Sequence, residues 1–191
     1  MDKPKNGPNG LFLVDFMRKM GDNNKMNIKE VKTANKIGDF VLRVGHRNKI
    51  DIWYLPSLSN KILTDDSARI YLIVRDGIIK KIGGSASKGG IKATMVFYVS
   101  AMTGSPGVPR FVVHLLIENA LRQKSRVELF MITSPRTMAK VSGLFGYKKL
   151  EIASFKEMED FCKSDYYSIE KKRKNIQIGI FKKIISHILQ R

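Results

Sequence analysis

The chain has little acidic charge to balance its bases. Its 191 residues include 35 Lys and Arg but only 17 Asp and Glu, which leaves a net charge of +18 and a pI near 10.1. Positive charges in this excess repel one another in a compact chain. Proteins that carry such an excess typically bind a polyanion that neutralises it. Nucleic acid is the leading partner that this charge indicates, ahead of an anionic membrane surface.

Other absences from the sequence exclude several classes of protein. Cys162 is the only cysteine, so an intrachain disulfide and a cysteine-rich zinc site are both excluded. No apolar run approaches the roughly 18 residues that a spanning helix needs, and the first residues contain no apolar signal core. We therefore expect a soluble, cytoplasmic protein with no stable membrane association. A hydrophobic share of 43% excludes wholesale disorder.

The order of apolar patterns along the chain predicts an α+β fold rather than a repeating βαβ unit. Strands are expected at 39–44 and just before Pro56, and a helix at 110–123. The apolar residues 91–102 fit a helix or a strand, and we favour a helix. The expected organisation is a flexible tail (1–10), a basic N-terminal embellishment with DNA contacts (11–67), a core (68–175) and a C-terminal amphipathic helix (176–191).

Two β-rich runs at 70–74 and 78–82 flank the turn signal Asp76-Gly77. Alternating strand residues around such a dipeptide predict a β-hairpin. Arg126 to Thr133 predicts a further strand.

The register of this hairpin decides whether Tyr71 and Lys81, ten residues apart, share a face. A two-residue turn sets Tyr71 opposite Ile82 and sends Lys81 to the other face, because side chains alternate along a strand. A three-residue turn, with Gly77 as a left-handed bulge residue, sets Tyr71 directly opposite Lys81. The sequence does not choose between them, and a functional role for the pair requires the second.

The two strands resemble the paired motifs of the GIY-YIG nuclease superfamily. Arg69-Ile70-Tyr71 stands where that family has Gly-Ile-Tyr. Lys81-Ile82-Gly83 is similar to the restriction-endonuclease branch, in which lysine replaces the tyrosine of the second motif. The likeness covers roughly residues 68–175. It implies a small, about three-stranded antiparallel sheet flanked by helices.

This resemblance implies a metal-dependent endonuclease that hydrolyses phosphodiester bonds of double-stranded DNA, such as a site-specific type II restriction enzyme, with Mg²⁺ or Mn²⁺ as cofactor. Tyr71 would be the general base or would orient the attacking water, with its pKa lowered by Lys81, which would also assist activation of the water. Lys92 occupies the position of the family's phosphate-neutralising helix arginine but lacks its bidentate fork.

The implied metal ligand is a glutamate at the start of a late helix. Ser154 and Glu157 form a capping-box pattern that opens a helix over about 155–167. Glu157 is therefore the first choice as ligand and Glu159 the second. Glu157 also has a structural interpretation, as the capping partner of Ser154.

Further basic and aromatic residues are candidate DNA contacts. Tyr98 would contact a phosphate or a metal-bound water, and Lys88 competes with Lys92 for the scissile phosphate. His114 is predicted to be buried and hydrogen-bonded. The remaining candidates come from two basic stretches, Arg43, Arg47 and Lys49, and Lys171, Lys172 and Arg173.

Two functions remain open at this level. The alternative to the nuclease is a non-catalytic basic DNA- or RNA-binding protein on a degenerate nuclease scaffold. The altered first motif and the missing helix arginine favour this alternative. Restriction enzymes often cut as dimers, so the C-terminal helix is also a candidate homodimer face.

Overall fold

The computed structural model describes residues 26–45, 49–100, 108–133, 137–144, 146–152 and 154–189. Asn27–Tyr167 form one compact unit, and the last helix continues from Ser168 into a second. Within these described ranges, no helix is both long and apolar enough to cross a membrane.

The described ranges contain seven strands and four α-helices, preceded by a short 3₁₀ turn at Ile28–Glu30. The strands are β1 (Asn35–Leu42), β2 (Ile50–Tyr54), β3 (Arg69–Arg75), β4 (Ile78–Ser85), β5 (Val127–Thr133), β6 (Thr137–Gly143) and β7 (Gly146–Ile152). The helices are α1 (Asn60–Thr64), α2 (Gly90–Val99), α3 (Val108–Arg122) and α4 (Phe155–Leu189).

Five strands form one antiparallel sheet in the order β2-β1-β5-β3-β4. The fold is α+β as expected, but the sheet has five strands where about three were expected, because β1 and β2 also join it. β1 supplies backbone partners for β5, which would otherwise be an open edge. Lys36 strengthens this junction, with its Nζ 2.7 Å from Asp39 and 3.1 Å from Glu128.

One face of the sheet packs against α2 and α3. Tyr71 and Ile73 lie on this face and belong to the same buried cluster as Met95 of α2 and Ile117 of α3. β3 is buried along its whole length except at Arg75. The central strand of the predicted motif is therefore held rigidly between two neighbouring strands and a layer of helices.

The predicted helices at 91–102 and 110–123 are confirmed as α2 and α3, and the strand at 126–133 as β5. The last two predicted helices are a single helix, α4, which begins directly after Ser154. No proline interrupts it, and the Lys/Arg run at 171–174 consists of good helix formers. The β6–β7 ribbon, which forms its own two-stranded sheet, was not predicted.

Candidate active site

The hairpin between β3 and β4 turns at Asp76 and Gly77, whose φ angles are 50° and 80°. Arg75 pairs with Ile78 across this turn. Two successive positive φ angles define the tight turn whose twist matches that of paired strands. The turn is thus the two-residue form.

A bulge then changes the register. Val74 pairs with Ile79 and Ile73 pairs with Lys81, so Lys80 is an extra residue in β4. Beyond the bulge, Tyr71 lies opposite Gly83 instead of Ile82 or Lys81. Both predicted registers are therefore wrong past this point.

The bulge nevertheless brings Tyr71 and Lys81 to one face. Tyr71 and Ile73 share a face of β3, and Lys81 is the direct partner of Ile73. Tyr71 and Lys81 therefore share a face, as the predicted functional role requires. This arrangement results from the extra residue in β4 and not from the length of the turn.

Two glycines of β4 make room for the neighbouring groups. A Cβ at Gly83 would lie 2.3 Å from both Cζ and Oη of Tyr71. A Cβ at Gly84 would lie 2.7 Å from Oε2 of Glu159 and 2.8 Å from the carbonyl oxygen of Phe155. The first glycine thus admits the tyrosine ring, and the second admits the first turn of α4.

Glu159 is the acidic residue that docks on the hairpin. The Gly84 N–H donates to Glu159 Oε2 at 2.7 Å, and Lys163 Nζ lies 2.5 Å from Oε1. β4 is an edge strand, so its outward N–H groups need such partners.

Glu157, two residues earlier, closes the capping box of α4. Its Oε2 accepts from the Ser154 N–H at 2.8 Å, and its own N–H donates to Ser154 Oγ at 3.4 Å. Glu157 therefore acts as the capping partner of Ser154, the structural role predicted for it, and its side chain is exposed. Glu159, the second choice from the sequence, is the glutamate beside the hairpin.

Tyr71 and Tyr98 form a buried pair. Their hydroxyl oxygens are 2.7 Å apart and their rings meet edge to face, with centroids separated by 6.0 Å. His114 Nδ1 donates to the Tyr98 carbonyl oxygen at 2.6 Å from a fully buried position. The prediction of a buried, hydrogen-bonded histidine is confirmed.

The electrostatics of this cluster differ from the sequence expectation. Burial raises the pKa of Tyr71, and the neighbouring Tyr98 and Glu159 raise it further, against a lowering by Arg110. The expected lowering by Lys81 is therefore wrong. Burial lowers the pKa of Lys81 itself, with Glu159 opposing this effect and Lys163 adding to it. The phenol thus holds its proton more tightly, while the ammonium releases its proton more easily.

Lys92 contacts residues of α1 and β2. Lys92 Nζ donates to Asn60 Oδ1 at 2.7 Å and lies 5.7 Å from the centroid of the Tyr54 ring.

Burial raises the pKa of both Tyr71 and Tyr98. Arg110, in the first turn of α3, is a cation whose charge opposes this rise in both phenols. Its guanidinium carbon lies 4.1 Å from the centroid of the Phe97 ring. Sequence reasoning missed Arg110 because the family position lies on α2, and a lone arginine at a helix start carries no signal of its own.

Arg69, which replaces the glycine of the first motif, is buried. Its Nη2 donates to the carbonyl oxygens of Asp65 and Ser67 and so secures the loop before β3. The departure from the family pattern is therefore accounted for by local structure.

The other predicted DNA contacts are dispersed. Lys88 is exposed in the loop before α2, whereas Arg43 pairs with Asp51 at 3.1 Å. Lys49 is half-buried just before β2. Lys171 and Lys172 are exposed on the part of α4 in the second unit, where Arg173 also lies. Arg47 lies outside the described residues.

No family model matches this sequence, and no curated protein matches it. Several solved structures are similar to the chain, among them the following two. A mutant of bacteriophage T4 EndoII shares 18% identity at a TM-score of 0.45 and covers 65% of this chain and 85% of its own. The restriction endonuclease HPY188I in complex with product DNA shares 13% identity at a TM-score of 0.48 and covers 82% and 84%.

The buried tyrosine pair leads to a stability prediction. Tyr71→Phe and Tyr98→Phe should each lower the free energy of unfolding by about 1–3 kcal/mol, because each removes the buried partner of the other hydroxyl. The double variant should lose less than the sum, since neither hydroxyl then remains unpaired. Urea unfolding measures all three variants, with Tyr147→Phe as an exposed control. Additive losses would contradict the pairing.

Proposed function

We propose that this protein is an endonuclease that hydrolyses phosphodiester bonds of double-stranded DNA with a divalent metal, Mg²⁺ or Mn²⁺. One observation carries the proposal. The bulge in β4 and the Gly84–Glu159 hydrogen bond gather a phenol, an amine of lowered pKa and a carboxylate at one end of the β3–β4 hairpin. Together these groups can orient water, accept a proton and hold a divalent metal, and Tyr71 and Lys81 belong to the two motifs that resemble the nuclease family.

The raised pKa of Tyr71 favours one of the two roles considered for it. A phenol that keeps its proton at neutral pH does not act as a base, so Tyr71 orients the attacking water through hydrogen bonding. Lys81 is the better candidate proton acceptor, because burial lowers its pKa. The water oxygen attacks phosphorus and its proton passes to the neutral Lys81 amine. The bond from phosphorus to the leaving sugar oxygen breaks, and that oxygen takes a proton from solvent water.

The oxygen atoms present suit a hard divalent cation. Within the described ranges no group of three His, Cys, Asp or Glu side chains could hold a metal. Glu159 would be the carboxylate ligand because it lies beside the hairpin, bonded to the Gly84 N–H. Mg²⁺ keeps several waters and is commonly held by one or two carboxylates together with phosphate oxygens. When bound, it would polarise the scissile phosphate and offset its developing charge. Lys163 would have to release Oε1, which a half-exposed lysine can do at low cost.

Arg110 takes the role that the resemblance implied for Lys92. Its charge acts on both tyrosines from α3, and arginine supplies the planar fork that matches a phosphate. The net charge of +18 supplies affinity for the duplex through phosphate contacts, which carry no sequence information. More specifically, we propose a site-specific restriction enzyme whose contacts with the DNA bases lie outside the β3–β4 hairpin. Dimerisation stays a prediction.

The alternative is a non-catalytic DNA-binding protein on the same scaffold. It is favoured by the fact that both Glu159 oxygens already have partners, the Gly84 N–H and Lys163. In that case Glu159 would serve only to dock α4 on the hairpin. Cleavage assays separate the two functions.

Glu159 and Glu157 provide a matched pair of variants on one helix. Glu159→Gln should reduce cleavage of supercoiled plasmid and genomic DNA by about 10²–10³-fold, because it removes the charge that holds the metal. The amide oxygen can still accept from Gly84, so docking of α4 is kept. Glu157→Gln should cut at the wild-type rate, since glutamine also closes a capping box.

Chelation of the metal should stop the wild-type protein, while binding to the duplex continues. Equal cleavage by Glu159→Gln and the wild type would contradict the assignment. Duplex binding without cleavage on genomic DNA, with Mg²⁺ or Mn²⁺, would favour the non-catalytic alternative.

A second matched pair tests the phosphate-neutralising cation. Arg110→Ala should slow cleavage by about 10²-fold, because charge developing on the phosphate loses its partner. Lys92→Ala should cut near the wild-type rate, since Lys92 is engaged with Asn60. Single-turnover rates on one plasmid measure both. The reverse order of effects would restore Lys92 to the role implied by the resemblance.

A further inference from the structure

The ribbon formed by β6 and β7 is a separate two-stranded sheet. It pairs Thr137 with Ile152 at one end and Gly143 with Gly146 at the other, apart from the five-stranded sheet. Along the chain it connects β5, in the middle of that sheet, to α4, which carries Glu159. The ribbon is therefore joined at both ends to elements of the candidate active site.

One face of this ribbon is polar and basic. Lys140 lies directly opposite Lys149, and Ser142 lies opposite Tyr147 on the same face. All four side chains are exposed. Met138 pairs with Glu151 nearer the other end of the ribbon. The segment 137–152 holds three lysines and one glutamate, a net charge of 3 − 1 = +2.

The lysine pair is unfavourable on its own. Side chains directly opposite each other on antiparallel strands have Cβ atoms about 4.5–5.5 Å apart, and like charges at that separation repel. A stable hairpin has no need of two exposed ammonium groups in register. A phosphate placed between them would convert the repulsion into two attractions.

Tyr147 holds one of these lysines in place. Lys140 Nζ lies 4.2 Å from the centroid of the Tyr147 ring, which is within the range of a cation–π contact. The ring itself is exposed. Lys140 is thus ordered before any ligand arrives, so less side-chain freedom is lost on binding.

We propose that the β6–β7 ribbon contacts the backbone of duplex DNA, and that Lys140 and Lys149 together bind phosphates other than the scissile one. A two-stranded ribbon is narrow enough to lie along the major groove, whose walls are lined by phosphates. Point charges such as lysine position a protein on DNA without reading its sequence. This inference rests on the proposed function and identifies a second surface for its substrate.

The test measures binding in the absence of divalent metal, so that cleavage plays no part. Lys140→Gln/Lys149→Gln should weaken binding to a duplex of arbitrary sequence by about tenfold and reduce the slope of log Kd against log salt by about 2, or one per lysine. The control Lys29→Gln/Lys61→Gln removes two exposed lysines elsewhere and should leave the slope near that of the wild type. Lys140→Arg/Lys149→Arg should restore binding.

Thermal unfolding shows whether the variant is folded. Because the substitution removes both a like-charge repulsion and the Lys140–Tyr147 contact, the melting temperature of the glutamine variant should change little. An unchanged salt slope in a folded variant overturns the ribbon proposal. So does a loss of binding to anionic lipid vesicles without a loss of duplex binding.

The two proposals fail in different ways. Cleavage by the wild type, with an unchanged salt slope in the glutamine variant, would leave the nuclease and overturn the ribbon contact. A weakened, less salt-dependent variant of a protein that never cuts would support the ribbon and overturn the nuclease. A wild-type protein that does not bind duplex DNA overturns both.

Discussion

A single hydrogen bond, from the Gly84 N–H to the Glu159 carboxylate, connects the predicted motif to the helix that carries its acid. It forms only because Gly84 has no side chain and because β4 is the edge of the sheet. Any Cβ at this position would collide with the first turn of α4. The proposed chemistry depends on this approach, since it brings the charge of Glu159 close enough to act on both Tyr71 and Lys81.

The bulge at Lys80 is the second constraint. A regular hairpin with the observed two-residue turn would place Tyr71 and Lys81 on opposite faces of the sheet. One extra residue restores the shared face and sets Gly83, instead of a larger residue, beneath the tyrosine ring. The tight turn and the bulge have separate roles: the turn keeps the strands paired, and the bulge aims the side chains.

Patterns within one element were readable from the sequence, whereas pairings between distant elements were not. Helical spacing located α3, an apolar run located α2, and the Ser154 capping box located the start of α4. The bulge left no signal, because Lys80 and Lys81 are the same residue type and either could have faced inward. The direction of the Tyr71 pKa shift was missed because it depends on burial against Tyr98, 27 residues away. Membership of β1 and β2 in the sheet depends likewise on pairing with β5, far along the chain.

The side chains that share a face of the β3–β4 hairpin can be observed directly in solution. Nuclear Overhauser contacts in the isotope-labelled protein would report which protons lie near the Tyr71 ring. The account predicts contacts from this ring to the Hα protons of Gly83 and to the ring of Tyr98, together with a cross-strand contact between Ile73 and Lys81. Contacts from the Tyr71 ring to the side chain of Ile82, with Lys81 on the opposite face, would contradict it.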